Sequence, residues 1–187
     1  MAGMDPAMVD GPPAPADVFH AVDGGGNCLP GPCVPFGMVR PGPDMVNHNT
    51  SGYATGEDIR HFSHTHVAGT GGAGRYGNVG VVPLIQRPDS RTVGFAGEDE
   101  TGRPGYYAVT LRPRQGFGEL ANEGRVRVEL AATARCAIHR YTWSEGCDPW
   151  VRVDVGACIA GACQSGHARW HDAATLVCSG TYAGGWG

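Results

Sequence analysis

The chain has 187 residues and a formal net charge of −4, enough length for one domain with a real core and too little positive charge for a polyanionic partner such as nucleic acid. Its 31 glycines and 14 prolines exceed ordinary usage, yet hydrophobic residues make up a normal 41%, so the excess reads as turns between short strands. No apolar run is long enough to span a membrane.

Residues 1–17 are rich in Pro, Ala and Met without periodicity, and are expected to form a disordered leader ahead of a single domain over 18–187. The leader has neither the cationic start nor the apolar stretch of an export signal, which leaves localisation unknown at this stage. From Val18 onward turn signals are dense: Gly24-Gly25-Gly26-Asn27, Pro30-Gly31-Pro32, Pro35-Phe36-Gly37, Pro41-Gly42-Pro43-Asp44 and Asn49-Thr50-Ser51-Gly52. Only short extended pieces fit between them.

Next comes a segment in which His61, His64 and His66 lead into a glycine-rich loop, Gly69-Thr-Gly-Gly-Ala-Gly74, followed by Arg75-Tyr-Gly-Asn78. Imidazoles share protons or bind metals near neutral pH, and glycines let backbone amides approach a ligand, so the segment is the candidate site. The loop spells G-x-G-x-x-G, but no hydrophobic strand precedes it and no helix can follow it, which argues against a dinucleotide site. On an extended segment His64 and His66 would share one face, a way to present two nitrogens to zinc or iron. No Asp or Glu lies in the next fifteen residues to complete such a site. Three readings stay open: metal ligation, structural histidines making hydrogen bonds, and polar groups facing a ligand.

The acidic stretch between Gly94 and Pro104 reads as a solvated loop. Beyond it, Tyr106–Leu111, Arg125–Ala134, Cys136–Trp143 and Trp150–Val155 alternate with period two and are predicted strands. Val126, Val128 and Leu130 face one way and Arg125, Arg127 and Glu129 the other, the pattern of an antiparallel sheet covering a core on one side. The predicted fold is all-β, an antiparallel β-sandwich. Ala174–Cys178 is a further predicted strand, after which the chain reads as truncated. Seven cysteines leave at least one thiol unpaired, and Cys28/Cys33, Cys136/Cys147 and Cys158/Cys163 have the spacing of small disulfide loops, not of a zinc ribbon. Neither a G-x-S-x-G elbow nor an evident Cys-His arrangement supports nucleophilic catalysis.

Three blocks in order carry a resemblance: Gly26-Asn-Cys-Leu-Pro-Gly-Pro-Cys-Val-Pro-Phe-Gly-Met38 continuing to Asp44; the run from Phe62 to Asn78; and Gly105-Tyr-Tyr-Ala-Val109 with Glu129-Leu-Ala-Ala-Thr-Ala-Arg135 and His139-Arg-Tyr141. The stretch from about Ala16 to Val155 resembles glycoside hydrolase family 92. The resemblance implies a calcium-dependent, inverting α-mannosidase of two domains, an N-terminal β-sandwich (supersandwich-like) and a C-terminal (α/α)6 barrel. This chain would be the sandwich alone. The family's catalytic carboxylates and most calcium ligands lie in the barrel, so no catalytic residue and no metal ligand is assigned here, and the chain alone is expected to be inactive. What the resemblance assigns to this domain is one wall of a pocket for a mannose-containing glycan, with His64, His66, Gly69, Thr70, Gly71, Arg75, Tyr76 and Phe36 as substrate-binding candidates. For Phe36, as for Phe62, a place in the core is the stronger expectation. Arg75 and Asn78 stand where many members carry acidic residues, which would suit an anionic or otherwise altered glycan. Family members are often exported. The alternatives are a free-standing carbohydrate-binding β-sandwich and a small metal-dependent β-barrel enzyme using His61, His64 and His66.

Overall fold

The computed structural model describes residues 16–23, 27–67, 76–87, 94–114 and 123–184. Ten strands follow in chain order: β1 (Gly42–Met45), β2 (Ile59–Ser63), β3 (Gly80–Leu84), β4 (Phe95–Arg103), β5 (Tyr106–Pro113), β6 (Val126–Ala132), β7 (Ala137–Trp143), β8 (Trp150–Asp154), β9 (Ala162–Trp170) and β10 (Leu176–Ala183). Among the described residues there is no helix, and the all-β expectation holds. The predicted strands in the second half are all present, trimmed or extended by a few residues.

Eight strands form one antiparallel sheet in the order β7-β6-β5-β4-β2-β3-β8, with β1 paired to β2 beside this path. The sheet doubles over on itself. Val126, Val128 and Leu130 of β6 and Tyr107, Val109 and Leu111 of β5 share one buried cluster with Ile59 and Phe62 of β2 and Val82 and Leu84 of β3. Across the fold the Trp143 indole N–H donates to the Leu84 carbonyl at 2.9 Å, tying β7 to β3. The inward positions of β6 are those that the alternation of the sequence selected, because a period of two places every second side chain on the core face.

Two segments differ from expectation. The acidic stretch read as a loop is β4, which pairs with β5 over most of its length around a bulge between Glu98 and Thr101. Both of its glutamates are partnered: Glu98 accepts from Arg112 at 2.6 Å and Arg125 at 3.2 Å, and Glu100 accepts from the Tyr107 and Tyr53 hydroxyls at 2.6 and 3.0 Å. Residues β9 and β10 form a separate two-stranded hairpin whose side chains are mostly exposed. The spacings that suggested disulfide loops do not form them; none of the seven cysteines is disulfide-bonded, and Cys33 and Cys136 are exposed. The leader expected over residues 1–17 falls outside the described residues except for its last two.

Candidate functional site

Strand registers gather the site at one end of the sandwich. Ser63 closes β2 opposite Gly42, which opens β1; Gly80 opens β3 opposite Asp154, which closes β8. The β6–β7 turn lies at the same end. There the Met38 amide donates to the Ala134 carbonyl at 2.8 Å and the Arg40 amide to the His64 carbonyl at 2.9 Å, so the loop holding Phe36 is strung between the turn and the histidine segment. The base of the glycine loop is closed by a bridge between His66 and Tyr76 and by the Gly77 amide donating to the Thr65 carbonyl at 2.7 Å.

The three histidines do not share one face, because β2 ends at Ser63 and the chain bends at His64. His66 turns inward and its side chain is fully buried. Its Nδ1 lies 2.7 Å from the Arg40 carbonyl and its Nε2 lies 2.8 Å from Asp44 Oδ1, with Ser63 Oγ at 3.1 Å from the same nitrogen. A carbonyl and a carboxylate only accept, so beside ionised Asp44 both ring nitrogens of His66 face acceptors, an arrangement that suits a ring donating from both sides. His61 Nε2 sits 3.2 Å from the other oxygen, Asp44 Oδ2, close enough for electrostatic attraction yet not aligned as a hydrogen bond, so Oδ2 is buried without a donor. Burial pushes the Asp44 carboxyl up, but the His66 charge and the two imidazoles beside it outweigh burial and hold it well below the usual carboxylate range.

Gly80 makes room for this cluster. A Cβ at that position would lie 2.5 Å from Cγ of the His61 ring, which is itself packed against Asp44 and has nowhere to go. Gly80→Ala is therefore expected to lower stability by about 1–3 kcal/mol, the cost of overpacking a filled interior, read as a lower midpoint in urea unfolding.

His64 turns the other way. Its Nε2 is 2.7 Å from Nε2 of His139 on β7, and His139 Nδ1 is 2.7 Å from the Tyr141 hydroxyl. His139 also meets the edge of Phe62, with ring centroids 6.4 Å apart. Burial, with His64 beside it, pulls the His139 imidazole down to about 4, and burial with His66 beside it lowers His64 as well, against an opposing pull from Asp44.

Phe36 is not in the core; it is fully exposed at 105% of its reference surface, whereas Phe62 is buried as expected. The hydrophobic run Pro35-Phe-Gly-Met38 instead forms a loop tip, and Met38 is 76% exposed. Phe36, Tyr76 and Val79 all adopt positive φ, of 58°, 64° and 61°. For a bulky or β-branched residue this costs energy that the surrounding structure must hold in place, a pattern that concentrates at functional sites. Tyr76 lines a cleft with Asn78, Ala160 and Tyr182 at the base of the β9–β10 hairpin. Gly69, Thr70, Gly71 and Arg75 lie outside the described residues.

The alternative of a metal centre built on His61, His64 and His66 does not survive this geometry: the rings diverge to Asp44 and to His139, and no group of three or more metal-ligating side chains converges among the described residues. Sequence reasoning found the imidazoles but missed the partners that define them. Asp44 and His139 are 22 residues before His66 and 75 after His64. The available signal was that both lie within the blocks carrying the family resemblance.

Comparison with known proteins agrees with this architecture. A family model described as "Glycosyl hydrolase family 92 N-terminal domain" matches residues 16–187. An uncharacterized secreted glycosidase of Arthroderma benhamiae is 29% identical over 163 residues, covering 74% of this chain and 20% of that protein. A solved family 92 glycosyl hydrolase superposes with a TM-score of 0.72 at 27% identity, over 89% of this chain and 23% of that one. A family 92 alpha-mannosidase from Bacteroides thetaiotaomicron, solved with mannoimidazole, shares the fold at 24% identity with a TM-score of 0.71, over 86% of this chain and 22% of its own. The chain thus spans between a fifth and a quarter of the length of these relatives. It belongs to glycosyl hydrolase family 92, as the N-terminal domain of that family.

Proposed function

We propose that this domain forms one wall of the glycan pocket of an α-mannosidase-like family 92 hydrolase, while the rest of the full-length protein supplies the chemistry. The observation that carries this reading is the exposed Phe36 on a left-handed backbone, in the loop that Arg40 ties to the His64 carbonyl. An aromatic held in solvent at the cost of backbone strain suits the apolar face of a sugar, and imidazole N–H groups suit its hydroxyls. His66 acts from behind, anchoring both the Phe36 loop, through Arg40, and the base of the glycine loop.

Inverting hydrolysis needs a protonated carboxyl and a second carboxylate about 6.5–9.5 Å away. Asp44 is poorly suited to be that acid, since it is buried and held ionised. The paired Glu98 and Glu129 lie on the outer face of β4–β7. Calcium takes six to eight oxygen ligands, whereas the described residues of the histidine cluster are imidazoles around a carboxylate already engaged. They do not fit a calcium cage, so a calcium ion in the full-length enzyme would be held by other residues. The secreted relative supports export of this protein too.

Titration of the isotope-labelled chain with methyl α-D-mannopyranoside tests the pocket. Resonances of Phe36, Met38 and His64 are expected to shift together, and Phe36→Ala to weaken binding about tenfold, the loss of one stacking contact. Shifts confined to other surfaces, or hydrolysis of an aryl α-mannoside by this chain alone, would refute the reading.

A further inference from the structure

The contacts among Tyr141, His139 and His64 determine which nitrogen of His64 carries its proton. Two ring nitrogens 2.7 Å apart, as in His64 Nε2 and His139 Nε2, require one proton between them. Neutral imidazoles carry one proton each, so the proton can belong to either ring, and each choice fixes the rest of the chain.

If it belonged to His64, then His139 would carry its own proton on Nδ1 and donate to the Tyr141 oxygen. The Tyr141 hydroxyl proton would then lack an acceptor, since His139 Nδ1 is its only hydrogen-bond partner among the described residues. A half-buried phenol without an acceptor is costly. If the proton belongs to His139, every group is satisfied: Tyr141 donates to His139 Nδ1, His139 Nε2–H donates to His64 Nε2, and His64 carries its proton on Nδ1. Nδ1 of His64 has no protein partner among the described residues. Nor is it one of the buried polar atoms left unpaired, which are Asp44 Oδ2, Thr50 Oγ1 and Arg152 Nε. His64 is only partly buried, so Nδ1 is the ring nitrogen that the relay leaves uncommitted among the described residues.

We propose that Tyr141 and His139 are positioning residues that fix His64 as the Nδ1–H tautomer, so that the domain offers its ligand a single neutral hydrogen-bond donor at His64 Nδ1. Such a donor selects an acceptor oxygen, a sugar hydroxyl or ring oxygen. With its one lone pair turned inward to His139, the ring is unable to ligate a metal or act as a base from its open side. The ligand class rests on the pocket reading above; the tautomer does not.

Long-range ¹H–¹⁵N correlation spectra of the ¹⁵N-labelled chain at pH 7 test the assignment directly. The expected result is a protonated Nδ1 and an unprotonated Nε2 on His64, with the reverse on His139. In Tyr141→Phe the donor that sets the direction is gone, and both rings are expected to move to a mixture of tautomers while backbone amide shifts elsewhere stay in place. A His64 protonated on Nε2 in the unaltered chain, or an unchanged tautomer in Tyr141→Phe, would overturn the proposal; the first measurement needs no variant to fold. Titrated with methyl α-D-mannopyranoside, Tyr141→Phe is expected to bind several-fold more weakly than the unaltered chain. An unaltered chain with the Nδ1–H tautomer and no sugar-induced shift supports the relay and removes the pocket reading, so the two failures are distinguishable.

Discussion

Asp44→Ala is expected to lower the stability of the domain by about 3–5 kcal/mol, seen as a large drop in the urea midpoint at pH 7 or as failure to fold. The reason is what remains after the carboxylate has gone. His66 has no exposed side-chain surface, and its Nδ1–H stays committed to the Arg40 carbonyl. Without Asp44 the ring must either keep a buried, unpaired charge or lose a proton and leave Nε2 with only the Ser63 hydroxyl. Asp44→Asn retains the shape and is expected to cost less, because its amide can donate to a neutral His66.

Comparison of Asp44→Asn with the unaltered chain across pH isolates the charge. The Asp44 carboxyl lies below its ordinary value of 3.8 in the folded protein. Its contribution is therefore complete above about 4 and disappears as pH falls below that. The difference between the two proteins should shrink as pH falls below 4. A difference that persists undiminished at pH 3 would show that the Asp44–His66 pair is not ionic.

What the sequence reveals of this fold depends on where each strand's partners lie. The strands β5 to β7 are legible because one face meets the core and the alternation is written into the residues, as in Val126, Val128 and Leu130. The β4 strand hides because Glu98 and Glu100 resemble loop residues until Arg112, Arg125, Tyr53 and Tyr107 are brought beside them by β5, β6 and a distant turn. The β9 strand hides for the opposite reason: it has no buried face, and its ladder to β10 is a backbone matter. The site divides in the same way. Histidine and glycine types announce a polar, open segment, but whether a ring is a charged strut or a neutral donor is set by Asp44 and Tyr141, which reach it only through the fold. Phe36 shows the limit of residue type as a guide, since its hydrophobicity suggests the core and its backbone places it in solvent.

Acidification tests the second histidine cluster separately from the first. Between pH 6.5 and about 4 the domain is expected to lose about 2–3 kcal/mol of stability, measured as a falling urea midpoint, and His139→Gln is expected to flatten that slope. His139 is depressed from 6.5 to about 4 in the folded protein, so the unfolded chain takes up its proton first as pH falls. The stabilisation is full above 6.5 and is lost down to the folded value, a gap equivalent to about 3 kcal/mol before allowance for partial exposure. His64 acts in the same direction, and two imidazolium rings with nitrogens 2.7 Å apart would repel. The groups facing this pair are Tyr141, which keeps its proton throughout because burial raises it, and the Asp44–His66 pair, in which the contribution of the Asp44 carboxylate is lost only below pH 4. The two clusters therefore titrate in separate windows. If the acid slope of the unaltered chain persists in His139→Gln and vanishes in Asp44→Asn, the loss belongs to the carboxylate, and the neutral relay that presents His64 to a ligand is not what acid breaks.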